Sequence, residues 1–221
     1  MEEQTLEGAK DTLALRSDLH LARKLWHIAT GVTGVWAYFR FDLGQEFTAL
    51  VTFCVAIAGL LMDFTRLNFE QFNRFYIKYA GIVMRRSEAN GFSGLPFYAL
   101  GVSVSLYIFP EKLAVLSVLF LIFADPISSL IGIKYGRQKI LPNKSLEGAI
   151  AGFVVCYLLT MGHGFVTVGN EPKLVVFAFI AGLIGMASEL VSGLIEVDDN
   201  LTIPVLSGLG LTVLSSFLSV F

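Results

Sequence analysis

The chain has 221 residues, of which 55% are hydrophobic and 15% are charged, with 19 Phe and a mean hydropathy of +0.70. Soluble domains carry about a quarter charged residues, so this composition excludes an ordinary soluble domain and predicts a multi-pass membrane protein. The net charge of −2 says little by itself, and we expect no nucleic-acid partner. Cys54 and Cys156 lie in apolar runs without metal-ligand spacing, which argues against a disulfide framework.

The N-terminal segment, residues 1 to 24, is acidic and then basic. It lacks the short apolar run and the small-residue cleavage site of a signal peptide, so we expect it to be retained as a cytoplasmic segment. Residues 25 to 221 are predicted to form one membrane-embedded domain.

Seven apolar runs approach the length of about 20 residues that a membrane helix needs, although the first and third are short. They cover residues 25 to 40, 46 to 63, 93 to 109, 113 to 133, 146 to 167, 173 to 195 and 201 to 221. With a cytoplasmic N-terminus, all of the 16 Lys and Arg residues except Arg40, Lys112 and Lys173 fall on the cytoplasmic side. This asymmetry favours that orientation. The sequence predicts an all-α, polytopic integral membrane protein with about seven transmembrane helices.

The longest polar connection, residues 64 to 92, has aromatic and aliphatic residues at helical spacing with charged residues between them. This pattern is typical of an amphipathic helix on the cytoplasmic membrane surface, here residues 66 to 86. Such a helix could simply anchor the protein, or it could guide a lipid. The candidate lipid-binding residues are Phe72, Tyr76, Arg85 and Arg86.

Four acidic residues lie within the predicted spans, where each costs at least about 2.5 kcal/mol on insertion scales. They are Asp63, Asp125, Glu147 and Glu189. Asp125 lies near the middle of its span and precedes Pro126. The simplest structural explanation is a helix that breaks here, because Asp suits a helix N-cap and Pro the first turn.

Small and polar residues share one predicted helical face downstream of Asp125. They are Ser128, Ser129, Gly132 and Gly136. The spacing of the two glycines is also that of a GxxxG packing motif, so close helix packing is the alternative explanation for them.

A basic loop follows, with a predicted helix start at residues 143 to 145. Its cations are Lys134, Arg137, Lys139 and Lys144. A helix N-terminus together with Lys and Ser suits phosphate binding, although no Walker motif is present. The alternative is that these charges only determine membrane topology.

At the end of the sixth span, Glu189, Glu196 and Asp199 share one helical face if the helix continues. Carboxylates at the level of a cationic loop indicate binding of Mg²⁺ or another divalent cation together with phosphates. A solvated acidic helix end is the alternative. At the first membrane interface, His27 follows Arg23 and Lys24 on about one face, where a lone His is more often structural.

Four motifs resemble those of the CTP-dependent lipid kinases, the family that joins CTP-dependent diacylglycerol kinase, dolichol kinase and phytol kinase. They are "RKLWH" at 23 to 27, "MRRSEANGFSG" at 84 to 94, "ADPISSLIGIKYG" at 124 to 136 and "NKSLEGAIAGF" at 143 to 153. The similarity extends from about residue 22 to 210, and the diacylglycerol kinase branch is the most similar.

The resemblance implies a membrane enzyme that transfers the γ-phosphate of CTP to a lipid hydroxyl with Mg²⁺ or another divalent cation. By motif it assigns Arg23 and Lys24 to an Arg-Lys pair, and Asp125 to the aspartate of the nucleotide motif. Pro126 departs from the family, which often has Thr there.

The complete set of expected site residues follows from the motifs and the spacing together. The catalytic residues are Asp125, Arg23, Lys24 and His27. The nucleotide-binding residues are Ser128, Ser129, Gly132, Lys134, Gly136, Arg137, Lys144, Ser145, Glu147 and Gly148. The metal ligands are Asp125, Glu189, Glu196 and Asp199.

Two other functions stay open at this point. A CTP:phospholipid cytidylyltransferase shares the "NKSLEG" type of motif, but the C-terminal region lacks the His and acidic signature of that family. A transporter could use buried acids as an ion path, yet Asp63, Glu147 and Glu189 gather on one side. The lipid acceptor, the oligomeric state and the choice between a bacterial cytoplasmic membrane and the endoplasmic reticulum remain open.

Overall fold

The computed structural model describes Leu13, residues 19 to 195 and residues 197 to 221, and this part of the chain is almost entirely helical. The α-helices are α1 (Leu21–Arg40), α2 (Gln45–Asn68), α3 (Glu70–Ala80), α4 (Gly94–Ile108), α5 (Glu111–Leu119), α6 (Asp125–Tyr135), α7 (Leu146–Val168), α8 (Leu174–Ile195) and α9 (Asp199–Leu218). Two short 3₁₀ segments, Gly81–Val83 and Arg86–Asn90, follow α3. A small antiparallel hairpin pairs β1 (Lys139–Leu141) with β2 (Lys144–Ser145). The all-α prediction is confirmed.

Helices lie at all seven positions where the sequence predicts membrane spans. Five of them are long and apolar enough to cross a membrane: α2, the continuous helix Glu111–Tyr135, α7, α8 and α9. Helix α4 has 15 residues, and the 20-residue α1 includes charged residues near both of its ends. The chain is thus an all-α integral membrane protein, and its two less typical spans are the first and third.

The centre of the fold is the continuous helix Glu111–Tyr135, which we call the central helix. Its residues Leu116 and Phe120 are fully buried and join Phe177 of α8 and Leu211 of α9 in one apolar core. Close packing of this kind is what holds helices together in a bilayer, where lipid is as apolar as the side chains. The core therefore fixes the ends of α6, α8 and α9 relative to one another.

A π-helical turn, Phe120–Ala124, interrupts the regular winding of the central helix just before Asp125. The expected break and cap at Asp125 is wrong, because this residue has helical dihedral angles and the helix continues through it. In a π turn the Leu121 carbonyl faces the nitrogen of Pro126, which carries no hydrogen. The Nε2 of His27 lies 3.0 Å from that carbonyl oxygen and must donate to it, since a carbonyl only accepts. The His27 side chain of α1 thus supplies the hydrogen bond that Pro126 cannot donate to the Leu121 carbonyl.

The predicted surface helix is present as α3, which is shorter than the expected residues 66 to 86. One of its faces is buried at Asn73 and Ile77, and its opposite face exposes Phe72, Phe75 and Tyr79. This distribution suits a helix that packs on the protein and turns its aromatic side chains towards lipid.

A buried ion pair ties the end of α2 to the segment that follows α3. Arg66 Nε donates to Asp63 Oδ1 at 2.6 Å, and both side chains are almost fully buried. Arg66 also donates to Asn73 Oδ1 and to the Gly91 carbonyl. Asp63 accepts bonds from the backbone N–H and the hydroxyl of Ser93. Each buried charge thus has several partners.

Because of this network, we expect Arg66→Met to lower the free energy of unfolding by about 3 kcal/mol, since it leaves Asp63 charged and buried. For a chain of this size that corresponds to a fall of about 6–12 °C in thermal midpoint, measured in detergent. The double variant Asp63→Asn/Arg66→Met should recover part of the loss. Arg74→Met, whose pair with Glu70 lies at the surface, is the matched control. An equal shift in both single variants would contradict the expectation.

Candidate active site

A polar cavity of about 280 Å³ lies where α1, α6, the hairpin and the facing ends of α7, α8 and α9 meet. The predicted site residues that line it are Arg23, Lys24, His27, Asp125, Ser128, Ser129, Gly132, Lys144, Ser145, Gly148, Glu189 and Asp199. Residues from opposite ends of the chain therefore converge on one cavity. The lining also includes Arg85, which the sequence placed in the lipid-binding set, and Lys139 of the basic loop.

Asp125 is the first residue of α6 and is partly exposed to the cavity. It is close enough to Lys24, His27 and Lys144 to interact with each electrostatically. Among the described residues, its carboxylate forms no hydrogen bond or salt bridge. Both carboxylate oxygens are thus available to a ligand, in an environment that holds Lys24, Lys144 and the nearby Glu189 carboxylate.

Lys144 of β2 bridges two carboxylates on the far wall of the cavity. Its Nζ lies 3.1 Å from Glu189 Oε1 and 3.6 Å from Asp199 Oδ2, and the Ser192 hydroxyl donates to Asp199. Burial disfavours the Lys144 ammonium, but the surrounding carboxylates outweigh this and raise its pKa. Lys144 is therefore a fixed cation whose carboxylate partners hold it in place.

The N-terminus of α7 opens towards this cavity. Ser145 caps the helix by accepting a hydrogen bond from the Gly148 N–H at 3.2 Å, as expected from the predicted helix start. The Leu146 N–H donates to the Gln138 carbonyl at 2.8 Å, and the Glu147 carboxylate bonds to its own backbone N–H, so these first-turn N–H groups already have partners. The terminus still carries the positive end of the helix dipole, which favours a nearby anion.

The two glycines that line the cavity allow α6 and α7 to approach closely. A Cβ on Gly132 would lie 3.1 Å from Ser145 Oγ, and one on Gly148 would lie 2.8 Å from the Ser128 carbonyl. The close-packing explanation for Gly132 is confirmed. Packing and site formation are compatible here, because the approach of the two helices places Ser128 beside the start of α7.

Arg23 lines the cavity but is engaged in a structural pair. Its Nη1 lies 2.7 Å from Glu88 Oε1 and donates to the Val83 carbonyl. Glu88 also accepts the backbone N–H of Arg85, whose side chain faces the cavity. Sequence reasoning missed Glu88, and the available signal was an isolated acid between basic residues in "MRRSEANG".

Four predicted nucleotide-binding residues lie outside the cavity lining: Lys134, Gly136, Arg137 and Glu147. Glu147 accepts the backbone N–H groups of Arg137 and Gln138 at 3.0 and 3.3 Å, which closes the hairpin onto α7. Lys134 lies over the Tyr135 ring, and Gly136 packs against Ser145.

The predicted lipid-binding residues other than Arg85 lie away from the cavity. Tyr76 packs beneath the Arg66 guanidinium, whereas Phe72 and Arg86 are exposed. Glu196, a predicted metal ligand, lies outside the described residues.

The residues present fit a divalent cation that arrives with a nucleotide. In the described part of the chain, no three His, Cys or acidic side chains gather closely enough to hold a metal by themselves. Mg²⁺ often uses one or two protein carboxylates and takes its other ligands from substrate phosphates and water. Asp125 has free oxygens for this purpose, while Glu189 and Asp199 already bind Lys144.

Among the curated proteins similar to this chain are CTP-dependent diacylglycerol kinases and an uncharacterized protein. The chain is 37% identical over 155 residues to CTP-dependent diacylglycerol kinase 1 of Schizosaccharomyces pombe, a match that covers 66% of this chain and 71% of the relative. It is 28% identical over 208 residues to the protein of the same name from Saccharomyces cerevisiae, covering 86% and 71%. An uncharacterized protein of Rickettsia prowazekii is 27% identical over 191 residues, covering 85% and 91%. No family model and no solved structure matches the chain.

Proposed function

The chain belongs to the family of CTP-dependent diacylglycerol kinases, and from this premise we propose that it transfers the γ-phosphate of CTP to the hydroxyl of diacylglycerol. The observation that supports this function best is the cavity itself. It combines an available carboxylate, Asp125, with the fixed cation Lys144 and the positive end of the α7 dipole. Phosphoryl transfer needs a proton acceptor and positive groups around the phosphates.

In this mechanism the cations and α7 hold the CTP phosphates. Lys144 binds phosphate oxygens, the N-terminal end of the α7 dipole adds a partial positive charge, and Lys139 and Arg85 add positive charge from the cavity wall. Ser129 lines the same wall and can donate a hydroxyl hydrogen bond to a phosphate, whereas the Ser128 hydroxyl already donates to the Asp125 carbonyl.

In this proposal the lipid hydroxyl lies beside Asp125. The hydroxyl oxygen attacks the γ-phosphorus while the bond from that phosphorus to the β,γ-bridging oxygen breaks, and CDP leaves. Asp125 accepts the hydroxyl proton, while Lys24 and His27 limit where the carboxylate can lie. The fixed cations stabilise the charge that develops on the transferred group.

The proposal includes Mg²⁺ or another divalent cation as a companion of CTP. When bound, it would neutralise phosphate charge and draw the β- and γ-phosphates into one geometry. Asp125 is the first candidate to hold it, and Glu189 and Asp199 could do so when phosphates compete for Lys144. We further propose that the cavity faces the cytoplasm, as the distribution of Lys and Arg favours, and that Arg85 and the exposed aromatics of α3 lie at the lipid surface beside it.

We expect the purified protein in diacylglycerol-containing vesicles to move label from [γ-³²P]CTP into lipid and to release CDP. Label from [α-³²P]CTP should stay in the aqueous phase. In parallel vesicles that contain phosphatidate, lipid labelled from the α position, with release of pyrophosphate, would instead identify a cytidylyltransferase. Parallel reactions with phytol and a long-chain prenol identify the acceptor, and parallel reactions with ATP identify the donor.

A further inference from the structure

An apolar groove of about 470 Å³ runs between α1 and the central helix, beside the polar cavity. Its volume lies within the range of about 300–1,000 Å³ that is typical of ligand pockets. We refer to it as the acyl groove, and its lining residues are Val32, Val35, Trp36, Phe39, Arg40, Leu119 and Phe123. We propose that it holds a hydrocarbon chain of the acceptor lipid while the lipid hydroxyl lies at Asp125, an inference that rests on the proposed function.

The attachment of α1 explains why this groove exists. Near its start, α1 is tied to the central helix by the bond from His27 to the Leu121 carbonyl. Near its end, the buried Tyr38 donates its hydroxyl to Glu111. Between these two ties, Trp36 is 57% exposed. Helix α1 is thus attached to the central helix near both of its ends. An apolar gap remains between the two helices along the second half of α1.

The groove and the polar cavity border the same π-helical turn. Phe123 lines the groove and Asp125, two residues later, lines the cavity. On the other side, His27 lines the cavity and Val32 begins the groove just over one helical turn later. From Val32 to Phe39 the groove extends about 10 Å along α1. A lipid whose hydroxyl lies at Asp125 would therefore have its chain directly beside this groove.

The side chains that line the acyl groove determine which kind of ligand it can bind. Apart from Arg40 at its far end, every lining side chain is hydrocarbon or aromatic, so a nucleotide or an ion would lose its hydration there without compensation. The ligand that suits both regions has a hydroxyl at one end and an alkyl chain next to it. The groove thus adds a recognition site for the chain to the proposed site for the hydroxyl.

Trp36 provides a direct reporter of binding that needs no CTP. The chain has two tryptophans, Trp26 and Trp36, so Trp26→Phe leaves one fluorophore in the groove. In phosphatidylcholine vesicles, a few mole per cent of diacylglycerol with brominated chains should quench Trp36 at least about twice as strongly as the same amount of brominated phosphatidylcholine. Equal quenching by the two lipids would mean that bulk lipid fills the groove, which would overturn the inference.

Filling the groove should change chain-length selectivity. We expect Val35→Trp to lower the ratio of kcat/KM for dioleoylglycerol to kcat/KM for dihexanoylglycerol about tenfold. The matched control is Val55→Trp on the lipid-exposed face of α2, which should keep the wild-type ratio. An unchanged ratio in Val35→Trp would overturn the inference.

The two experiments separate the groove from the proposed reaction. If the wild-type protein phosphorylates no lipid but diacylglycerol still quenches Trp36 selectively, the groove stands and the reaction fails. If the wild-type protein is active but quenching is not selective, the reaction stands and the groove fails. Should Val35→Trp not fold, the quenching measurement on Trp26→Phe still decides the matter.

Discussion

Asp125→Asn is expected to lower the rate of lipid phosphorylation by about 10²- to 10⁴-fold, the usual effect of losing a general base. Asparagine preserves the size of the side chain but cannot accept the hydroxyl proton, and it is a weak ligand for a cation. Because the Asp125 carboxylate has no hydrogen-bond or salt-bridge partner among the described residues, its replacement should change the thermal midpoint little. The measurement is the initial rate of label transfer from [γ-³²P]CTP, together with a melting curve.

A suitable control for this variant is Asp42→Asn, in the turn between α1 and α2. Asp42 has a φ of 49°, a left-handed conformation that Asn tolerates as well as Asp. It is exposed and lies far from the cavity in the fold, so its variant should retain the wild-type rate. Wild-type activity in Asp125→Asn would contradict the proposed role of Asp125.

The second large effect is expected for Lys144→Met. Charge-assisted hydrogen bonds contribute about 1.5–3 kcal/mol, so losing the contact from Lys144 to phosphate should weaken CTP binding by about 10- to 100-fold. The same change leaves Glu189 buried without its cation, which should also lower the stability by about 3 kcal/mol. Lys78→Met, on the exposed face of α3, is the control.

The two consequences of losing Lys144 can be measured separately. In the double variant Lys144→Met/Glu189→Gln no uncompensated carboxylate remains at position 189, so part of the thermal stability should return. CTP affinity, followed by isothermal titration or by the KM for CTP, should stay low. Recovery of both quantities together would show that Lys144 acts only through the stability of the fold.

Much of the helical framework could be predicted because a membrane span leaves a strong mark on a sequence. The prediction was weakest for α1 and α4. Helix α4 has 15 residues, and α1 includes Arg23 and Lys24, which turn towards the cavity. A hydropathy average cannot distinguish such charges from those of a loop, whereas the structure shows that each has a polar environment.

The convergence at the site was predicted in part. Asp125, Lys144 and Glu189 meet as their residue types suggested, because carboxylates in membrane spans usually face a partner or a polar cavity. The role of Glu147 at the hairpin could not be foreseen from its place in "NKSLEG", since it depends on the backbone of residues 137 and 138. The contact of Glu88 with Arg23 was missed for a similar reason: it joins positions 65 residues apart.

The prediction of a helix break at Asp125 was wrong because a helix can accommodate a proline in two ways. A break with an N-cap and a π turn both remove the need for the missing N–H of Pro126. Sequence favoured the first, because Asp-Pro is common at helix starts. The second prevails because His27 supplies a donor to the Leu121 carbonyl from a different helix, a contact that no local pattern contains.

The π turn also sets the rotational phase of the central helix. A π turn accommodates one more residue than a regular α-helical turn, and each residue of an α-helix advances the chain by about 100° around the axis. If the same residues were wound as a regular α-helix, Asp125, Ser128 and Gly132 would point about 100° away from their present direction relative to the buried Leu116. The π turn thus rotates the second half of the central helix relative to its first half. One continuous helix can therefore present its first half to the apolar core and its second half to the polar cavity.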